Sequence, residues 1–142
     1  MINDVIVTPL DIISTSNGDV LHGMKNNSRG FVSFGEAYFS EITPKTVKAW
    51  KRHRKMTLNL VVPIGEIKFV MFDDRETIDV NFHEVIISKK NYCRLTIPPM
   101  IWVGFEGLSR NNSIVLNIAS IPHNPGEVDR KNLDEIAFDW GI

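Results

Sequence analysis

Between Lys48 and Lys55 the chain reads Lys-Ala-Trp-Lys-Arg-His-Arg-Lys, and here its side chains have the types and spacing for proton chemistry. Histidine has an ordinary pKa close to neutrality, which makes His53 the candidate base. In an extended strand alternate side chains share a face, so Lys51, His53 and Lys55 lie on one side and Arg52 and Arg54 on the other. At a rise of about 3.3 Å per residue, Lys51 and His53 stand about 7 Å apart, a cation and a base at the mouth of one pocket. Lys51 can hold developing negative charge, or act as a base if burial and the neighbouring Lys48 and Lys55 lower its pKa. A structural reading stands beside this one: a charged edge strand that resists sheet-to-sheet association, with His53 a satisfied wall residue.

The elements that must position these residues read as short strands. Segments of strand type run over Asp4 to Val7, Val20 to Met24, Phe31 to Glu41, Thr46 to Arg54, Thr57 to Val62 and Glu66 to Phe72. Three more cover His83 to Ile87, Tyr92 to Ile97 and Ser113 to Ala119. Asn17-Gly18, Asn26-Asn27, Asp73-Asp74 and Arg110-Asn111-Asn112 separate them with residue types that accept turn geometry. Many short strands with frequent turns point to an all-β antiparallel sandwich or barrel. The runs from Leu58 to Pro63 and from Ile67 to Phe72 are almost continuously apolar, broken at Pro63-Ile64-Gly65, and read as a hairpin in the barrel wall. Such runs need cover on both faces, which the opposite sheet and a second subunit would supply, so a homodimer is expected. From Pro122 the chain reads as a turn, one short helix around Lys131 to Ile136, and an apolar anchor at Phe138 and Trp140.

One domain spanning residues 1–142 is expected at this length. With 43% hydrophobic residues, 23% charged ones and a formal net charge of -1, the composition argues against a general nucleic-acid or membrane-surface binder, since those carry a basic excess. Cys93 is the only cysteine, which excludes an internal disulfide and a thiolate metal cage, and it reads as a packed thiol. The N-terminal residues do not form a signal peptide, and no stretch approaches the about 20 apolar residues of a membrane helix, so a cytoplasmic location without membrane contact is expected.

Two blocks resemble a known family. Val47 to Lys55, followed by Gly65, Asp73 and Arg75, is similar to the corresponding run of the dTDP-4-dehydrorhamnose 3,5-epimerases and the dTDP-sugar 3,4-ketoisomerases, which are cupins. Ile97-Pro98-Pro99-Met100-Ile101-Trp102-Val103-Gly104-Phe105 is similar to a second block, and His123 to Glu127 with Arg130 and Asp139-Trp140 to the family's C-terminal run. The resemblance implies a cupin, a double-stranded β-helix or jelly-roll barrel with a short C-terminal tail. It also implies binding of a nucleotide-diphosphate sugar, a 4-keto-6-deoxy sugar linked to dTDP, and its epimerisation or isomerisation in polysaccharide synthesis, such as that of lipopolysaccharide, or in deoxysugar synthesis.

On that resemblance His53 matches a family histidine and Lys48 a basic residue near the substrate diphosphate, to which Lys55 and Arg54 can add. Tyr38 and Asn59 flank the basic stretch as polar contacts for sugar or nucleotide. Lys51 and Val103 stand where the family carries histidines, and Ile121-Pro122 where the epimerases carry a tyrosine. An enzyme with altered chemistry and an inactive nucleotide-sugar-binding accessory cupin are therefore both open. A cupin metal site needs several convergent histidine or carboxylate ligands, and Lys51 and Val103 occupy two of those positions, so no metal and no other cofactor is expected. Trp50 and Trp102 read as packing residues, and Asp73, Asp74 and Arg75 as an ion pair or turn cap.

Overall fold

Turn-forming residues divide the apolar sequence into strands too short to build a core singly, and two sheets bury them face to face. The computed structural model of the chain describes residues 2–75 and 81–142. Its strands are β1 (Ile6–Pro9), β2 (Ile12–Ile13), β3 (Val20–Leu21), β4 (Glu36–Ile42), β5 (Val47–His53) and β6 (Leu58–Ile64). They continue with β7 (Ile67–Asp73), β8 (Asn81–Ile87), β9 (Cys93–Ile97), β10 (Trp102–Gly107), β11 (Ser113–Ala119) and β12 (Val128–Arg130). One five-stranded antiparallel sheet has the order β1-β9-β6-β11-β4, the other β12-β5-β10-β7-β8, and β2 pairs with β3 alone. This is the all-β jelly-roll architecture expected.

Leu58, Leu60 and Val62 of β6 and Leu95 and Ile97 of β9 meet Ile67, Phe69 and Met71 of β7 in the core between the sheets. A second apolar cluster lies on the outer face of the second sheet, where Trp50, Val70 and Trp102 pack against Ile136 and Trp140, with Phe82 and Phe138 at its margin. The aromatic rings of this cluster interlock, Trp50 lying 5.5 Å from Trp140 and Phe138 4.8 Å from Trp140.

Three expectations need correction. The run from Leu58 to Phe72 is not a hairpin: β6 pairs with β9 and β11 while β7 pairs with β10 and β8, so Pro63-Ile64-Gly65 turns the corner from one sheet to the other. Gly65 permits the corner with φ +86°, and a Cβ there would stand 2.7 Å from Cβ of Ser113. The outer face of β7 is covered by the chain's own C-terminal tail, so its continuous apolar run requires no second subunit. The expected helix around Lys131 to Ile136 is a single 3-10 turn, Leu133–Glu135, closed by a capping box with Asn132. Among the described residues no helix is long and apolar enough to cross a membrane.

Candidate active site

A cavity of about 670 Å³ opens between the sheets, with an apolar floor that includes Leu58, Leu60, Phe69 and Phe105. Its polar groups come from β4, β5, β11 and the tail.

β5 presents three of them through an irregularity. Lys51 pairs with Val103 and Lys48 with Phe105, so Ala49 and Trp50 together oppose the single residue Gly104. This bulge resets the alternation: Lys48 and Lys51, three residues apart, both line the cavity, while Trp50 turns outward into the second apolar cluster. Gly104 fits because a Cβ there would come within 2.7 Å of Ala49 Cβ and 3.0 Å of the Trp140 ring.

His53, at the end of β5, is held from the tail. A 3-10 turn, Pro125–Glu127, is capped by Asn124, whose side chain accepts from Gly126 N at 3.0 Å, and it delivers Glu127 behind the imidazole. His53 Nδ1 lies 2.5 Å from Glu127 Oε1, and the two side chains are only 4% and 2% exposed. The other carboxylate oxygen accepts from Lys55 N at 3.0 Å and Met56 N at 3.3 Å. Burial pushes the Glu127 carboxyl up, but the hydrogen bonds from His53 and the two amides outweigh it and hold it below its ordinary value. Burial pushes the His53 imidazole below its ordinary value, against the opposing pull of Glu127. A neutral imidazole donating Nδ1–H to an ionised carboxylate satisfies both directions, and Nε2 then keeps the free lone pair of a base.

Tyr38, on β4, accepts from Asn117 Nδ2 at 3.0 Å, while Asn117 Oδ1 accepts from Asn59 N at 3.2 Å. The Asn117 amide is thereby oriented, and the phenol keeps its own O–H to donate into the cavity. Lys48 Nζ donates to Glu41 O at 2.7 Å. Arg130, which pairs with Lys51 at the end of β12, adds one more cation to the lining, whereas the next residue, Lys131, holds its ammonium 5.0 Å from the Trp102 ring in the outer cluster. Burial, then the neighbouring Arg130, lowers the pKa of the half-buried Lys51, with Glu127 pulling the other way.

Tyr38, Lys48, Lys51 and His53 thus converge on one cavity. Arg54, Lys55 and Asn59 do not line it. Arg54 and Lys55 follow the end of β5 in an exposed bend, where the Arg54 guanidinium donates to Gly126 O and pairs with Asp129 at 3.5 Å. Asn59 alternates with the inward Leu58 and Leu60; its Nδ2 donates to Gly30 O at 3.1 Å and its Oδ1 accepts from Thr96 at 2.6 Å. Asp73 and Asp4 both bind Arg75 at 2.8 Å, and Asp74 accepts from Trp102 Nε1 at 3.1 Å. Trp50 and Trp102 are packing residues. Burial raises the pKa of the Cys93 thiol.

Sequence reasoning missed Glu127, Arg130 and Asn117 as site residues. Glu127 and Arg130 lie within the C-terminal run that resembles the family, which was their one signal. Among the described residues no three His, Cys, Asp or Glu side chains gather as a metal-ligand set.

No family model matches the chain. A solved structure, a dTDP sugar isomerase from Desulfovibrio desulfuricans, superposes with a TM-score of 0.91 at 36% identity, over 97% of this chain and 91% of the other. The chain belongs to the dTDP-sugar epimerase and isomerase family of cupins. Two curated relatives extend the comparison of this cupin. A probable low-salt glycan biosynthesis epimerase of Haloferax volcanii, Agl13, is 25% identical over 97% of this chain and 89% of its own length. The spore coat polysaccharide biosynthesis protein SpsL of Bacillus subtilis is 24% identical over 99% and 97%.

Proposed function

We propose that the cavity binds a nucleotide-linked 4-keto-6-deoxy sugar, with dTDP as the carrier, and epimerises or isomerises it by moving a proton at carbon beside the ketone. The observation that carries this reading is the His53–Glu127 pair, a neutral imidazole backed by a buried carboxylate at a cavity edged with cations. Chemistry next to a ketone needs a base for the α-proton and a group that engages the carbonyl oxygen as charge develops on it. His53 Nε2 is the base. The Tyr38 hydroxyl donates to the oxygen or returns the proton, and Lys51 faces the same carbonyl. Lys48 and Arg130 hold the diphosphate, while Leu58, Leu60 and Phe69 form the apolar floor under the deoxy sugar. The dTDP-sugar isomerase and the glycan and polysaccharide proteins among the relatives support this substrate class and a place in glycan synthesis.

The same reading includes a cytoplasmic location, where activated sugars are made, and a homodimer. Phe34 and Phe39 are 64% and 67% exposed beside and on the edge strand β4, an apolar surface suited to a second copy. Light scattering of the purified protein giving the mass of one chain would remove the dimer from this proposal. For the activity, the protein is incubated in deuterated water with dTDP-4-keto-6-deoxyglucose. Deuterium entering beside the ketone is the expected outcome, and none entering overturns the proposed catalysis. An accessory role without chemistry draws on Val103, an apolar side chain opposite Lys51. It requires calorimetric binding of the nucleotide sugar with no deuterium uptake.

A further inference from the structure

We propose that Lys51 acts as a nucleophile, condensing through Nζ with the sugar ketone to form an imine; this rests on the substrate class proposed above. Lys51 lines the cavity, and its backbone neighbours across the sheet are Val103, which offers no polar atom to the ammonium, and Arg130, which offers only like charge. The carboxylates nearest the cavity are engaged elsewhere: Glu127 by His53 and two backbone amides, Glu135 by Asn132 N at 2.5 Å. The ion pairs among the described residues leave Lys51 out.

A half-buried ammonium beside Arg130, and in none of the ion pairs of the described residues, is destabilised twice, by lost hydration and by like charge, and the opposing pull of Glu127 does not offset them. Both effects favour the neutral amine, which has the lone pair that a nucleophile requires. A lysine serving only as a fixed cation would be better placed against a carboxylate or in a hydrogen-bonded cradle. The bulge in β5 sharpens the contrast: Lys48, on the same face, is anchored on Glu41 O, whereas no side-chain hydrogen bond among the described residues holds Lys51.

The step balances without an external reagent. The Nζ lone pair attacks the ketone carbon, the C=O π pair moves onto oxygen, and a proton from the amine is relayed to that oxygen. The carbinolamine gains a second proton there, loses water and becomes an iminium. The iminium withdraws electrons from the adjacent carbon more strongly than the ketone does, so His53 Nε2, two residues along the strand, removes the α-proton to give an enamine. Reprotonation of the same carbon from its other face and addition of water reverse the sequence, releasing the epimerised ketone and the free lysine. No electrons enter or leave.

The test incubates the protein with dTDP-4-keto-6-deoxyglucose and cyanoborohydride, which reduces iminium ions in preference to ketones. A mass gain equal to the ligand less water plus two hydrogens, located on Lys51 by peptide mapping and lost in Lys51→Arg, is expected. Deuterium uptake is followed in parallel. Uptake with no trapped adduct, or an adduct that Lys51→Arg leaves undiminished, overturns the imine while the proposed function stands. Absence of both uptake and adduct overturns both. Lys51→Arg retains charge and length, and its thermal midpoint, compared with wild type, shows that it folds.

Discussion

His53 Nδ1 and Glu127 Oε1 meet at 2.5 Å in a site from which water is almost excluded, although 74 residues separate them in the chain. The carboxylate holds the ring in one tautomer and on its other oxygen receives two backbone amides, so imidazole and loop are organised by one side chain.

Glu127→Gln tests that arrangement. The amide has one accepting atom, and the Lys55 and Met56 N–H groups claim it, which turns the NH₂ toward His53 Nδ1. The ring must then carry its proton on Nε2 and ceases to be a base. Turnover of the nucleotide sugar should fall about 10²- to 10⁴-fold. Calorimetric affinity for the nucleotide diphosphate should stay close to wild type, since Glu127 lies behind the ring.

The lowered pKa of His53 sets the acid side of the pH profile. Its imidazole stays neutral below its usual 6.5, so kcat/KM should be level through neutrality and fall only at more acidic pH. The sign carries over to stability. Just below pH 6.5 the unfolded chain takes up the proton before the folded one does, so folding stability is intact above that value. It declines as pH drops through the folded-state pKa. Thermal midpoints measured from pH 7.5 down to pH 5 read the effect, and His53→Asn should flatten this part of the curve.

Arg130 has two effects that one substitution separates. Arg130→Ala removes a proposed diphosphate contact, and loss of a charged hydrogen bond of this kind costs about 1.5 to 3 kcal/mol, read as weaker nucleotide binding with a shallower salt dependence. It also removes a like charge that depresses the pKa of Lys51. Any limb of the pH profile that reports the Lys51 amine should therefore move to higher pH in this variant, which a change in binding alone would not produce.

Trp140 secures the outer cluster against Trp50, Phe138 and the Lys68 ammonium, which sits 5.4 Å from the ring. Trp140→Ala should cost about 3 to 5 kcal/mol in denaturant unfolding. Loss of activity at temperatures where the barrel is still folded is also expected, because the tail that Trp140 anchors carries Glu127 and Arg130. Gly104→Ala should show a milder version of the same pattern, its methyl pressing on Ala49 and Trp140.

How much of this was legible in the sequence depends on the range of the signal. The apolar runs of β6 and β7 follow from local composition, and alternation puts Lys51 and His53 on one side of β5; Lys55, read onto the same face, lies past the end of the strand. The corner at Gly65 was taken for a hairpin because a glycine turn between two apolar strands looks the same locally, whichever sheet the second strand joins. Asn59 was assigned to the substrate because its strand flanks the basic stretch; its real partners, Gly30 and Thr96, are distant in the chain. Alternation alone puts Lys48 and Lys51 on opposite faces, and only the extra residue opposite Gly104 brings them together. Glu127 was out of reach of any periodic argument, since nothing local ties a carboxylate in a polar tail to a histidine in a distant strand.

The tail beyond Pro122 also has a consequence for how the protein is made. Ribosomes deliver the barrel strands first, with Trp50, Val70 and Trp102 bare and His53 lacking its carboxylate. One late docking event then hides the adhesive surface and brings Glu127 to His53. A nascent chain arrested before that event is at once sticky and without its His53–Glu127 pair, so proteolytic surveillance that recognises exposed apolar surface would clear the very copies whose cavity is incomplete.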